Sequence, residues 1–544
     1  MYECPNCAGN LKFDIARQQL HCEYCGTMMD PYQVSGERDA EEKAGEYEVT
    51  VFTCPQCGGE ILSEDTTAAT FCSFCGSSAI LDSRISKGKR PGYIIPFTRT
   101  KEDCREAYKK MLRRAPFVPD DMKKEAQIEK FRGIYMPFWV YSFEKKGNIS
   151  FSGKRSRRKG DYRITDHYRI ECAVEAEYHG LAYDASAAFS DSLSNAIGPF
   201  DLKEGKTFVP SFLSGFYADT NDVESYVYER EAQDLVVRDT ASCLGRDAVC
   251  RKYHVGQDGE DYVLKNALLP SERMAELAML PVWFLSCKSK DRVSYAVVNG
   301  QTGKAAADLP VDKKKYMLGS LLLAVPLFFL LNLFFTITPA KILVTAALLA
   351  LACILISNRQ ISHIISRESG EDDRGLASVK PPSRGEDAAG KRRRPGIRWP
   401  EGAAGKIILM LLAFYLSALV PGIVIAIAGI LMGGILPSGV VAVIIITILA
   451  SIFFVLRRAL GKPSGRRSGS HFKEKWSTLV KPFGGMILAV IILMWNPVSD
   501  WFYYMGAFVC MGLVLWAILD IIKQHNLLTT RRLPQFNRRG GDLP

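Results

Sequence analysis

The chain has 544 residues, enough for three or four units, and a formal net charge of +11. That excess admits nucleic acid or a membrane surface as partner until its placement is known. The first residues are a ligand motif rather than an apolar leader, and the cysteines outside two quartets are scattered singly. Both facts argue against a secretory signal peptide and a secreted disulfide framework.

The quartets are Cys4, Cys7, Cys22, Cys25 and Cys54, Cys57, Cys72, Cys75, each spaced C-x2-C-x14-C-x2-C. A C-x2-C turn folds two thiolates toward one point, and two such turns complete a tetrahedral S4 shell, the usual structural zinc site. Gly9, Gly26, Gly58, Gly59 and Gly76 suit tight turns beside the ligands. The intervening segments, with Leu11, Phe13 and Leu20 in the first and Ile61 and Leu62 in the second, predict short strands. Two zinc ribbons result, residues 1–30 and 50–82, joined over 31–49 by a charged stretch that reads as a linker or short helix. Units so small need the metal as their core. Two structural Zn2+ ions are therefore expected; disulfides, redox-active CxxC pairs and a rubredoxin-like iron site use the same residues. A closed Cys4 shell keeps no open position, which makes it structural rather than catalytic.

Residues 91–310 read as a cytosolic α+β region with antiparallel strands. Tyr93–Phe97 is strand-like, and Thr100 caps a helix over about 101–114 with Asp103 as its capping-box partner. Gly133–Phe143 predicts a strand leading into a hairpin with Lys154, Arg155, Arg157, Arg158 and Lys159 at its turn. Tyr135-Met-Pro-Phe-Trp-Val-Tyr-Ser is echoed by Met279-Leu-Pro-Val-Trp-Phe-Leu-Ser. Two related sheet units, or two ordinary core strands, explain the echo equally well. Asn299-Gly300 marks a turn at a strand end.

From residue 316 the chain becomes apolar. Tyr316–Ile337 with Ile342–Ser357, Ile407–Gly433 with Ile435–Leu456, and Phe483–Trp495 with Phe502–Ile522 predict an all-α polytopic membrane domain of about six helices in three hairpins (316–357, 406–456, 483–522). The connections 358–405 and 457–482 and the tail 523–544 are basic, whereas the opposite turns hold only Lys341. The positive-inside rule then places both termini and the ribbons in the cytoplasm of a multi-pass cell-membrane protein. Much of the positive charge is thereby assigned to topology and to anionic membrane lipid. Residues 366–400 have the composition of a disordered loop.

No enzyme signature is found. Gly300-Gln-Thr-Gly-Lys304 lacks the P-loop offset and reads as a turn between strands. His167, His179 and His254 stand alone. The spans lack buried ionisable residues of the kind ion pathways need, and Asp520 lies at the end of the last, within reach of the interface. Pro326 and Pro421 sit inside predicted spans. Residues 1–90 carry more acidic than basic residues, against nucleic-acid binding by the ribbons.

The order of parts is familiar: twin Cys4 ribbons, Tyr93-Ile-Ile-Pro-Phe97, Gly133-Ile-Tyr-Met-Pro-Phe-Trp139, Ile197-Gly-Pro-Phe-Asp-Leu202, Phe212-Leu-Ser-Gly-Phe-Tyr-Ala218, Leu280-Pro-Val-Trp283, Val298-Asn-Gly-Gln-Thr-Gly-Lys304, then membrane spans. Over roughly residues 1–315 this resembles bacterial membrane-anchored twin zinc-ribbon proteins, often labelled primosomal helicase-like. The resemblance implies a part in membrane-stress assemblies, with SPFH/flotillin-like or phage-shock-protein-A-like proteins as partners. No nucleotide-binding motif supports the helicase label, and six spans exceed a minimal anchor. The expected function is a non-enzymatic polytopic membrane scaffold. A nucleic-acid-associated membrane protein and a transporter with a cytosolic regulatory domain are the alternatives.

Overall fold

The computed structural model describes residues 2–35, 46–54, 57, 59–62, 72, 74–75, 82–253, 266–289, 292–334, 338–369, 373–379 and 469–532. The chain forms two units. Met1–Pro310, Arg367–Pro381 and Thr529–Pro544 make the first, and Val311–Ser366 and Pro382–Leu528 the second.

The first unit begins with a three-stranded antiparallel sheet, β1 (Leu11–Asp14), β2 (Gln19–Cys22) and β3 (Met28–Met29). A twelve-stranded sheet follows. It comprises β4 (Glu46–Thr53), β5 (Glu60–Leu62), β6 (Asp82–Lys89), β7 (Tyr93–Ile94), β8 (Arg132–Lys159), β9 (Tyr162–Asp184), β10 (Lys206–Thr207), β11 (Tyr217–Asp219), β12 (Glu272–Ser289), β13 (Arg292–Asn299), β14 (Ala305–Ala307) and β15 (Arg531–Arg532). Its axis is the antiparallel pair β8 and β12, in register from Glu272 opposite Glu144 to Phe284 opposite Arg132.

This pairing settles the sequence echo. The two segments are neighbours in one sheet, not cores of separate sheet units: Tyr135 faces Pro281, and Pro137 faces Met279. Exchanging each residue for its echo returns the same two pairs, so the repeat is an approximate two-fold about the β8–β12 seam. Each strand also takes a short parallel neighbour, β11 beside β8 and β7 beside β12. Each then continues into a hairpin partner, β9 or β13. The echoed tryptophans have matching roles: Trp139 donates to the Val223 carbonyl at 2.7 Å and Trp283 to the Arg99 carbonyl at 3.0 Å.

Alternate residues on a strand point to opposite faces, and both faces here are covered. One buries Tyr135, Met279, Trp283 and Leu285 against Cys104, Tyr108 and Leu112 of helix Lys101–Arg113. That helix has the expected capping box, Thr100 accepting from the Asp103 amide and Asp103 accepting from the Thr100 amide. The other face buries Ile134, Met136, Leu280 and Phe284 against Leu193 and Ile197 of helix Asp191–Ile197. The Asn299–Lys304 segment is a turn between β13 and β14, as its sequence predicts, with Asn299 Oδ1 accepting from the Gln301 and Thr302 amides.

Four expectations need correction. The stretch read as a linker ends in β4, which starts at Glu46 and pairs along its length with β6. The loop after the second apolar segment is not wholly disordered: a helix runs to Ser369 and another covers Arg374–Val379, while residues 380–400 lie outside the described residues. Asp308 and Arg367 are bridged at 3.3 Å, Asp191 accepts from the Arg374 amide at 2.9 Å, and the Tyr228 hydroxyl accepts from the Gly375 amide at 2.9 Å. The tail's boundary moves: helix Asp500–Leu528 runs past residue 523, and β15 pairs with Arg292 and Val293 of β13. Arg531 also faces Asp373 at 3.6 Å and donates to Ser190.

The fourth correction concerns the membrane region. The second unit contains helices Lys313–Phe334, Pro339–Ser369 (whose last residues belong to the first unit), Gly469–Trp495 and Asp500–Leu528. Among the described residues two helices, rather than six, are long and apolar enough to cross a membrane: Pro339–Ile361 and Asp500–Leu528. Val480–Trp495 is a shorter apolar stretch. The predicted pair Ile407–Gly433 and Ile435–Leu456, with Pro421, lies outside the described residues. Asp520 is buried and ion-paired with Lys481 at 2.5 Å and with Lys523 at 3.3 Å.

Two predictions follow from the packing of the sheet unit. A β-carbon on Gly300 would stand 2.6 Å from the Phe97 ring and 2.8 Å from Pro281. Gly300→Ala should therefore cost about 1–3 kcal/mol by overpacking, measured by denaturant unfolding. Buried carboxyls give the second. Burial pushes Asp219 up to about 8 and Asp222 up to about 6, and raises Asp184 well above its ordinary value. These groups hold protons in the folded state that the unfolded chain releases near 3.8. Their contribution to stability is thus full below about pH 4 and is lost as pH rises through 6 and then 8. Melting temperature should fall between pH 5 and 8.5, and Asp219→Asn should flatten the upper part of that fall.

Candidate metal centres

The eight predicted ligands come together as two quartets. In each, the four sulfurs lie within 4.8 Å of one another. Zinc bound to four thiolates at about 2.3 Å sets neighbouring sulfurs about 3.8 Å apart in a regular tetrahedron. In the second quartet Cys54 and Cys75 are 3.8 Å apart and Cys57 and Cys72 3.7 Å. In the first, Cys4 and Cys25 are 3.5 Å apart and Cys7 and Cys22 3.4 Å. All fifteen cysteines are free thiols, and a disulfide would need about 2.05 Å between sulfurs. Both quartets fit a four-coordinate metal and are consistent with zinc.

The knuckles repeat one local design. The first cysteine of a pair donates its amide to the carbonyl five residues on: Cys4 to Gly9, Cys22 to Thr27 and Cys54 to Gly59. Ala8 and Gly26, each just past the second cysteine of its pair, turn through left-handed backbone at φ 55° and 73°. Such loops aim backbone amides at sulfur, as in the Gly59 amide that reaches Cys57 Sγ at 3.4 Å. Thr27 lies 3.0 Å from Cys25 Sγ, and this hydroxyl together with the local amides holds the Cys25 thiol down to about 6. Thiolates are the ligand form, so this favours metal capture at Cys25, whereas the crowding of neighbouring thiols raises Cys7, Cys57 and Cys72 while no metal is bound.

The two centres differ in setting. Cys7 and Cys25 are exposed while Cys4 and Cys22 are buried, so the first centre sits at a surface. Its hairpin nonetheless docks on the sheet unit. Phe13 packs on Phe212 with ring centroids 5.5 Å apart, the Phe13 amide bonds the Ser214 carbonyl, and Gln18 Nε2 donates to the Phe97 carbonyl at 2.7 Å. All four cysteines of the second centre are buried. Phe74 between them is fully buried and packs edge-on against Phe284, and the Tyr295 hydroxyl donates to its carbonyl at 3.0 Å. β4, β5 and β6 of this ribbon are strands of the main sheet, with β5 paired to β11.

The centres therefore lie against opposite faces of one sheet, the first with the Tyr135–Trp283 face and the second with the Phe284–Tyr295 face. They are not free knobs, as independent ribbons would be. Sequence spacing picked out all eight cysteines that the fold brings together in two quartets; it did not reveal Phe74, Tyr295 and Gln18, which anchor the quartets to the fold. The lone histidines His167 and His179 lie on β9, neither in a metal quartet, and His254 is outside the described residues.

Unequal burial predicts unequal consequences. Structural zinc is worth about 10–16 kcal/mol of apparent binding free energy in small ribbons. Cys57→Ser and Cys7→Ser should each lower bound metal from two ions per chain to one. Only Cys57→Ser should also abolish the cooperative unfolding transition of the sheet unit, followed by circular dichroism. Equal loss in both variants would contradict the assignment of the second centre to the sheet core.

No protein-family model matches this chain, and no solved structure matches it. It is 30% identical over 326 residues to a Bacillus subtilis (strain 168) protein described as "Uncharacterized protein YdjG". The match covers 58% of this chain and 91% of that relative. With nine-tenths of the relative spanned at that identity, the chain belongs to the same family as YdjG.

Proposed function

We propose that this protein is a non-enzymatic membrane scaffold, whose metal-stapled sheet unit recruits partner proteins to the cytoplasmic face of the bilayer. The observation that carries the reading is how often the chain returns to the sheet unit. It leaves at Pro310, returns over Arg367–Pro381, leaves again, and returns at Thr529. Each return is tied down: Asp308 to Arg367, Asp191 and Tyr228 to the 374–375 backbone, and β15 to β13. A sheet unit kept on one side of a bilayer requires an even number of crossings in each excursion. Helices Pro339–Ile361 and Asp500–Leu528, one in each excursion, are long and apolar enough to cross, and each has an apolar companion in its excursion, Lys313–Phe334 and Val480–Trp495.

Further support comes from the exposed apolar surface of these helices. Leu322, Leu323, Phe329, Trp501 and Phe508 are each more than three-fifths exposed, as lipid-facing residues are. The basic loops support a cytoplasmic sheet unit, and free thiols accord with a reducing compartment. The metal shells, with all four positions taken by sulfur, leave no site for a substrate, which supports a structural role. SPFH/flotillin-like and phage-shock-protein-A-like proteins are the proposed partners, on the resemblance of the chain's first 315 residues, in a membrane-stress response.

The test is affinity purification of the full-length protein in mild detergent from its own host, with and without nuclease. Recovery of an SPFH-like or phage-shock-like protein is expected in both arms, and its loss from a Cys4→Ser/Cys54→Ser variant that still fractionates with membranes. Partners erased by nuclease would contradict the reading in favour of nucleic-acid association. An empty purification would contradict it in favour of transport.

A further inference from the structure

β9 is an edge strand. Among the described residues it pairs with β8 alone, and β8 itself parts from β12 beyond Glu144. From there the hairpin is a two-stranded ribbon, marginally stable in water on its own. One face of it is packed near the base, where Ile149, Phe151 and Val174 share a small core with Val237, Cys250 and Leu268. The direction of the β9 backbone follows from one bond on β8. The Lys154 amide donates to the Tyr253 carbonyl at 2.7 Å, so it points away from β9. Lys154 faces His167. That pair is therefore a non-hydrogen-bonded one, and the amide and carbonyl of His167 point away from β8. By alternation the odd-numbered residues from Arg163 to Glu177 all direct their backbone groups to the open edge. The stretch contains no proline, and an uninterrupted row of this kind is a template for another strand.

The charge along this edge changes sign from base to tip. At the base, Glu144, Glu175 and Glu177 share a single cation, Lys146, at 2.7, 3.4 and 3.2 Å. At the tip, Arg163 stands directly opposite Arg158, a like-charge pair. The hollow beside them is lined by three arginines, Arg157, Arg158 and Arg163, against one carboxylate, Asp161. A strand that is acidic at one end and basic at the other complements itself when a second copy runs antiparallel to it.

We propose that β9 pairs antiparallel with β9 of a second copy of this chain, about a two-fold axis at Ile170. In this register Arg163 opposes Glu177 of the second copy and Arg169 opposes its Glu171, each twice by symmetry. On the other face Ile170 meets its own copy and Tyr168 meets Cys172. Asp166 falls opposite Val174 and keeps its own cation, Arg157, at 3.7 Å. Backbone direction and charge together select this axis. An axis between residues would oppose an outward-pointing residue to an inward-pointing one. An axis moved by one residue would oppose Arg169 to Arg169, or Glu171 to Glu171, and like charges directly opposite are destabilising. Within one chain Arg169 and Glu171 already touch at 3.3 Å while both stay exposed, so pairing extends this contact into an alternating row of four charges. Two marginal ribbons become one four-stranded sheet. Because both chains use the same edge, the assembly closes at a dimer. This inference stands apart from the scaffold reading, since it concerns the chain's assembly with itself.

The test is sedimentation velocity of the full-length protein in mild detergent over a range of concentrations, with a concentration-dependent dimer expected. Arg163→Glu and Glu177→Arg should each raise the dimer dissociation constant at least about tenfold, since each turns two attractive cross-strand pairs into repulsive ones. The chain carrying both exchanges should dimerise as the parent does. An equimolar mixture of the two single variants should form a heterodimer, because every 163–177 contact is then again between opposite charges. His167→Pro removes a donor from the open edge and leaves the β8 ladder intact; it should also abolish the dimer, with hydrogen exchange over Ile149–Phe151 unchanged as proof of an intact base. A protein monomeric at every concentration would overturn the proposal, as would a dimer that none of these variants weakens. So would a dimer that both single variants weaken but that neither the double exchange nor the mixture restores.

Discussion

The antiparallel seam between β8 and β12 is the constraint on which the sheet unit depends. Its register places Tyr135 and Trp283 on one face and Ile134 and Phe284 on the other, so both faces must be covered. A sheet apolar on two sides exposes too much hydrocarbon to stand alone. Helix Lys101–Arg113 and the first metal hairpin cover one side, and helix Asp191–Ile197 and the second metal ribbon cover the other. The quartets thus act twice, closing their own loops and serving as lids over the seam. At the second centre, whose four cysteines are all buried with the sheet core, metal binding and sheet formation are expected to be one cooperative event.

This arrangement explains which features were legible in the sequence. A C-x2-C turn is local, so ligand identity and knuckle geometry follow from residues within one loop. Thr100 with Asp103 and Asn299 with Gly300 are likewise local, and the structure has the helix cap and the turn that those pairs predict. The second ribbon's union with the main sheet was not legible, because β5 meets β11 across some 150 residues and nothing in Glu60–Leu62 specifies that partner. Glu46 and Glu48 made β4 look like a solvated linker, although Tyr47, Val49 and Val51 alternate with them as in a strand. The echo around Trp139 and Trp283 was visible, but only pairing shows that its two copies lie side by side.

The apolar half of the chain shows the limit of composition from another direction. Apolar length marks a helix as able to cross a bilayer but carries no information about what its ends touch. β15 and helix Arg374–Val379 are only two and six residues long, yet both are built into the sheet unit through Arg531, Asp373, Asp191 and Tyr228. Asp520 looked like an interfacial residue by position; its burial and its ion pair with Lys481 depend on a neighbouring helix.

The account stands on two all-sulfur metal centres integral to one sheet. X-ray absorption at the zinc edge, with metal analysis of the full-length protein purified without added zinc, tests this most directly. The account predicts two zinc ions per chain, each with four sulfur neighbours at about 2.3 Å. One ion per chain, a shell containing oxygen or nitrogen, or cysteines recovered as disulfides would contradict it.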